Sequence, residues 1–258
     1  MSAEERAEVK RQVAVANRVL AELGLATGVL ASLGHASMRL PSEPDKFVVK
    51  GRGYAIDALA RMRPEDMVVC DLDGYLVDGP PGVSQCFEVK MHSCIYRARP
   101  DVQSVVHVHP RFVVVMSVLE APLVPMCQEG IDLVRHPLPV YPHVKTIHSE
   151  EEGQEVARLL GNHKAIILRG HGATTTGSTL AEAVMNMLFL EEQAKMNWYA
   201  YCAAGPQHPR ISDALIEEIH NRPRLEELPH FQGVLTGQRE VGLSGVWKHY
   251  ADLVSRDL

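Results

Sequence analysis

The sequence lacks an excess of positive charge, a long apolar run and any paired-cysteine motif, and each absence argues against a class of function. Lys+Arg total 26 against Asp+Glu 32, a net charge of −6. A nucleic-acid binder needs a basic face to offset phosphate charge, so no nucleic-acid partner is expected. No run of like charge and no basic amphipathic helix marks a membrane surface. No stretch approaches the roughly 18 apolar residues of a membrane span. The five cysteines, Cys70, Cys86, Cys94, Cys127 and Cys202, are odd in number and none stands in a Cys-x-x-Cys pair. Most lie in apolar surroundings, as in Val-Val-Cys70, and read as reduced core thiols. The N-terminus, Met-Ser-Ala-Glu-Glu-Arg, is charged and opens a helix, without the apolar core or cleavage site of a secretory signal. A cytoplasmic location is therefore expected.

What is present is an ordinary globular composition, 46% hydrophobic over 258 residues. A chain of that length buries a sizeable core without staples. Residues 3–23 read as an amphipathic helix, with Val9, Val13, Ala16, Val19, Leu20 and Leu23 at helical spacing and Gly24 as its stop. Residues 34–40, 47–50 and 67–70 read as strands. Asp73-Gly74 between apolar runs predicts a hairpin. Residues 86–98 read as a helix, 104–109 as a buried strand, and 111–119 and 151–160 as helices. The stretch 121–149 reads as an ordered loop with short strands. Residues 165–168 form a buried strand ended by Gly170-His171-Gly172. Thr179-Leu180-Ala181-Glu182 has the form of a capping box and opens a helix to about 203. Beyond 206 the chain is broken by proline, with short helices near 211–220 and 245–255. Helices alternate with strands and no linker stands out. One α/β domain over 1–258 is expected, its tail 206–258 packing on the domain or on a neighbouring subunit.

Four groups of residues are candidates for chemistry. His107-x-His109 lies on a strand, where residues two apart share a face. Two imidazoles there either hydrogen-bond locally or hold one metal ion. His171, between two glycines after a buried strand, either sits in a tight turn or acts as a third ligand. Together the three nitrogens leave coordination positions open for substrate or water. Glu88 and His92, four apart on a helix, share a face. They read as a helix-surface pair, or Glu88 is a fourth ligand or a general acid/base. Gly34-His35-x-Ser37-x-Arg39 places Ser37 and Arg39 on one strand face. Arg39 is either a carboxylate clamp or half of a structural ion pair, with Lys50 and Arg52 available to add positive charge. The remaining histidines read as structural; His143 and His148 are the least settled, since the loop around them lies near the site.

Taken in order, these pieces resemble the class II aldolase/adducin family over roughly residues 10–205: Gly34-x-x-Ser37-x-Arg39, Glu88 with His92, His107-x-His109, then His171-Gly172. The resemblance implies a three-layer αβα domain around a largely antiparallel sheet. It implies His107, His109 and His171 as ligands of one divalent ion per subunit (Zn, Mn, Fe or Co), with Glu88 as ligand or acid/base. It also implies homo-oligomers, commonly tetramers, with sites at subunit interfaces. Family members acting on sugar phosphates carry Asn where His35 stands, Ser-Ser where Cys86-Phe87 precedes Glu88, and a small hydroxyl loop where Lys50-Gly51-Arg52-Gly53 stands. Cys86 and Phe87 do not supply the donors a phosphate requires. The chain looks like the subgroup that decarboxylates hydroxylated aromatic acids such as dihydroxyphthalates, or their ring-cleavage products. On this reading Glu88 or His35 protonates carbon, and Ser37, Arg39, Lys50 and Arg52 hold a small carboxylate substrate. An aldolase acting on an unphosphorylated hydroxy-oxo acid is the alternative. An iron-dependent oxygenase and a metal-free scaffold of the adducin type are weaker ones.

Overall fold

The computed structural model describes residues 3–231, 243–256 and 258. Helix α1 (Ala3–Glu22) buries Val9, Val13, Ala16, Val19 and Leu20, and Gly24, at φ 77°, turns the chain out of it. The buried Asn17 side chain accepts the Ala36 amide at 3.1 Å, which ties the helix to the first strand. Strands β1 (His35–Leu40), β2 (Glu43–Arg52), β3 (Met67–Asp71) and β4 (Leu76–Asp78) then run antiparallel, with Asp73-Gly74 in the hairpin turn. β2 exceeds its apolar centre because β5 (Ser84–Gln85) pairs with its far end. Helix α2 (Val89–Ala98), β6 (Ser104–Val108), α3 (Arg111–Val118), α4 (Ile131–Val134), β7 (Val140–Tyr141), α5 (Glu150–Leu160), β8 (Ala165–Leu168) and β9 (Gly172–Gly177) follow. Three further helices, α6 (Leu180–Ala204), α7 (Asp213–His220) and α8 (Leu243–Val254), complete the described elements.

The strands form one sheet in the order β4-β3-β2-β1-β6-β9-β8-β7, with β5 off this path. Among the described strands only β7 and β8 pair in parallel. Side-chain alternation sorts the core into two layers. Ala36, Val48, Val69, Val106, Ile167 and Ala173 pack with α1, α3 and α6 on one face. Phe47, Val49, Val68, Val105, Ile166 and Leu168 pack with α2 and α5 on the other. This is the three-layer αβα arrangement with a mostly antiparallel sheet that the family resemblance implies. In the tail, α8 lies against α1 and α6, placing Trp247, Tyr250 and Val254 at the first core layer. No helix among the described residues is long and apolar enough to cross a membrane.

Two elements differ from expectation. β9 was not anticipated: Gly172-Ala-Thr-Thr-Thr-Gly177 shows no apolar alternation, yet all six residues are buried. Its hydroxyls find partners inside the protein. Thr175 donates to the Ala183 carbonyl at 2.7 Å, and Thr174 lies 3.0 Å from the Met91 sulfur. Polar residues therefore sit in a core strand at little cost. Helix α2 also starts at Val89 rather than near 86, leaving Glu88 at its N-cap.

Candidate metal centre

The site is built on three adjacent strands. His35, His107 and Thr174 are cross-strand neighbours on β1, β6 and β9, so their side chains leave one face of the sheet as a row. That face is the one covered by α2 and α5, because Val105, two residues before His107, packs in that layer. Gly34, at φ 116°, lets β1 begin hard against β6; a Cβ there would lie 2.7 Å from Val108 Cγ1 and 2.8 Å from the His107 carbonyl oxygen. β6 ends at Val108, and the chain turns at Pro110 so that His109 remains beside His107. The turn between β8 and β9 brings in His171, and the N-terminus of α2 brings in Glu88.

Glu88, His107, His109 and His171 each offer a ligand atom, all within 4.8 Å of one another. His107 Nε2 is 3.2 Å from His109 Nε2 and 3.2 Å from Glu88 Oε2. Ligand bonds of about 2.1 Å separate neighbouring donors by about 3.0–3.4 Å in octahedral or tetrahedral geometry, so these spacings fit a single divalent ion. The three rings meet edge-on, at 66°, 67° and 80°. His107 Nδ1 lies 2.9 Å from the Ala173 carbonyl. A carbonyl only accepts, so Nδ1 carries a proton and Nε2 is the atom turned toward the other ligand groups, the usual outer-shell device at such sites. Burial, with His107 beside them, pulls His109 down to about 3 and His171 down to about 4. Both rings are therefore neutral at neutral pH.

Glu88 does not cap α2 with its side chain. Its Oε1 accepts the Ile147 amide at 3.1 Å, and its Oε2 faces His35 Nε2 at 3.6 Å. Burial on its own would raise this carboxyl, but the His107 and His35 imidazoles hold it well below the usual carboxylate range. Glu88 is thus an ionised group in a dry setting. The helix-surface pair of Glu88 and His92 is not formed, since they are only 6% and 0% exposed. The Ile147 amide is a site group that sequence reasoning missed. It comes from the stretch 121–149, where no motif marks it.

The expected carboxylate clamp of Ser37 and Arg39 is not formed either. Arg39 donates to the carbonyls of Val102, Pro44, Tyr96 and Arg99. Its guanidinium holds the C-terminal end of α2, where a cation also meets the helix dipole favourably. Ser37 lies behind His92, with its Oγ 2.7 Å from His92 Nδ1. Arg39→Lys is therefore expected to lower stability by about 2–3 kcal/mol, since one ammonium cannot reach four carbonyls and charged hydrogen bonds contribute about 1.5–3 kcal/mol each. Denaturant melts should show that loss. Substrate KM should move less than about twofold if the guanidinium contributes only structure. A raised KM with unchanged stability would restore the clamp.

Lys50 and Arg52 converge on Asp57, whose Oδ2 accepts Arg52 Nη1 at 2.7 Å. Burial lowers the Lys50 ammonium, and Asp57 works against that shift. The Arg52 guanidinium lies over the Phe87 ring, 4.8 Å from its centroid. Phe87 is 62% exposed and immediately precedes Glu88 in the chain. His143 and His148 are exposed and outside the cluster. A second trio, His35, Cys86 and His92, lies equally close together. It makes a poor metal site, because the two imidazoles bond to each other and burial pushes the Cys86 thiol far above its ordinary range.

Residues 11–198 match the family described as Class II Aldolase and Adducin N-terminal domain. A 3,4-dihydroxyphthalate decarboxylase of Rhodococcus jostii (strain RHA1) is 33% identical over 216 residues, covering 80% of this chain and 86% of that protein. Another 3,4-dihydroxyphthalate decarboxylase, from Terrabacter sp. (strain DBF63), is 30% identical over 244 residues, covering 92% and 97%. The crystal structure of an aldolase II superfamily protein from Pseudomonas syringae superposes with a TM-score of 0.78 at 22% identity, over 99% of this chain and 95% of that chain. At that identity the likeness bears on the fold alone.

Proposed function

Because the chain belongs to the class II aldolase and adducin family, we propose that it is a metal-dependent, non-oxidative decarboxylase of a hydroxylated aromatic acid of the 3,4-dihydroxyphthalate type. The observation that carries this reading is the exposed Phe87 ring under the Arg52 guanidinium, directly before Glu88 in the chain. A flat ring and a cation suit an aromatic carboxylate. The relatives described as 3,4-dihydroxyphthalate decarboxylases support the same chemistry.

His107, His109 and His171, with Glu88 beside them, would hold a divalent ion, which would supply Lewis-acid stabilisation of negative charge on a substrate oxygen. The chain's own residues do the rest. Arg52 binds the second carboxylate, with Lys50 adding charge behind it. Phe87 stacks on the ring. Glu88, ionised in the free site, takes the proton of the substrate hydroxyl and passes it to the ring carbon that bears the departing carboxylate. The carbon–carbon bond then breaks, carbon dioxide leaves, and the bonding pair passes through the ring onto the hydroxyl oxygen. The resulting phenolate takes a proton from solvent. His35 Nε2 stands beside Glu88 throughout. Val118 and Val144, 61% and 69% exposed, flank the turn that carries His171. An exposed apolar patch there supports a homo-oligomer.

The test is carbon dioxide release from 3,4-dihydroxyphthalate by metal-stripped protein resupplied with Mn, Fe, Co or Zn. Release only with metal is expected. No release with any ion would retire this substrate and bring forward aldol cleavage of an unphosphorylated hydroxy-oxo acid.

A further inference from the structure

Behind the Glu88 cluster runs a line of four buried polar groups that metal binding does not use. His35 Nδ1 is 2.7 Å from His92 Nε2, His92 Nδ1 is 2.7 Å from Ser37 Oγ, and Ser37 Oγ is 2.7 Å from the Tyr96 hydroxyl. His35, His92, Ser37 and Tyr96 are at most 2% exposed. Each contact holds one proton. A neutral imidazole has one N–H, so the His35–His92 and His92–Ser37 bonds run in the same direction.

The two bonds made by His92 run one of two ways. In the first, Tyr96 donates to Ser37, Ser37 to His92 Nδ1, and His92 Nε2–H to His35 Nδ1, which leaves the His35 proton on Nε2. In the second both reverse and His35 Nε2 is bare. The near end decides between them. His35 Nε2 faces Glu88 Oε2 at 3.6 Å, and an ionised carboxylate oxygen repels a lone pair and attracts an N–H. The far end is compatible with the first, since a Tyr96 hydroxyl donating to Ser37 leaves the Ser37 proton for His92 Nδ1 at 2.7 Å, a shorter contact than the 3.4 Å to the Val105 carbonyl.

We propose that His92, Ser37 and Tyr96 are positioning residues whose one-way hydrogen-bond chain locks His35 as its Nε2–H tautomer, keeping a fixed donor beside Glu88. That donor steadies the Glu88 oxygen as it takes and returns a proton. This kinetic consequence rests on the proton-transfer role assigned to Glu88 above; the tautomer does not.

The experiment is two-dimensional proton–nitrogen correlation of the imidazoles in full-length protein labelled with 15N-histidine, metal-free and with Zn added. His35→Gln and His92→Gln assign the signals. Protonated Nε2 and bare Nδ1 are expected for both residues. In Ser37→Ala, His92 Nδ1 loses its donor, and both rings should move to mixed tautomers. The kcat should fall about 10- to 100-fold, as for outer-shell partners, with KM little changed, and Ser37→Thr should restore both signals and rate. If Ser37→Ala does not fold, the wild-type tautomers alone decide. A wild-type His35 with its proton on Nδ1, or an unmoved tautomer in a folded Ser37→Ala protein, overturns the proposal. Expected tautomers without carbon dioxide release retire only the substrate reading. Release with the reversed tautomer retires only the positioning chain.

Discussion

His107→Ala is expected to empty the site and stop turnover together. His107 is the hub of the ligand set, fully buried, with Nε2 3.2 Å from both His109 and Glu88. Without it, His109 and His171 must hold an ion with Glu88 across a gap, and Glu88 loses the nearest of its imidazole neighbours. Lewis-acid stabilisation is worth several kcal/mol, which at 1.36 kcal/mol per tenfold is a fall of about three orders of magnitude in kcat. Metal analysis of dialysed protein should fall from about one ion per chain to under about a tenth. His143→Ala is the control, since His143 is exposed and outside the cluster, and it should leave both readouts unchanged. A His107→Ala protein that keeps its ion and turns over within tenfold of wild type would refute the ligand set.

That cluster was legible because two local signals carry it. Residues two apart on a strand share a face, which makes His107-x-His109 conspicuous, although β6 ends at Val108 and the turn at Pro110 completes the placement. His171 between glycines marks a close approach of backbone to something. The fold was legible for similar reasons: α1, α6 and the apolar strands β3, β6 and β8 state their periods plainly. What stayed hidden lacks any local signature. Arg39 reads the same whether its partners are four carbonyls or a substrate, because backbone acceptors leave no mark in a sequence. Ser37, His92 and Tyr96 come from β1 and α2, and only the packing of helix on sheet makes them a chain. β9 was hidden because threonine hydroxyls bonded inside the protein make a polar segment a core strand.

Gly172→Ala tests the close approach directly. Gly172 opens β9 opposite the end of β6. A Cβ at that position would lie 2.5 Å from the Val108 carbonyl oxygen, 3.0 Å from His109 Cδ2 and 3.2 Å from His107 Cε1. The first of these is backbone and cannot swing aside. β9 must therefore move away from β6, in a sheet where His107 pairs with Thr174 and Val108 with Ala173. Moving β9 also withdraws the Ala173 carbonyl that orients His107 through Nδ1. Two losses should appear at once. Stability should fall by about 3 kcal/mol, the range for backbone strain combined with disturbed core packing. Metal affinity should fall about 10- to 100-fold, as when an outer-shell partner is removed. Saturating metal should recover part of the thermal midpoint, because an ion that binds only the folded chain stabilises it by mass action. Wild-type stability and affinity in Gly172→Ala would mean that β9 does not press on the histidine pair as described. Lost stability with unchanged affinity would separate the strand packing from the ligand geometry.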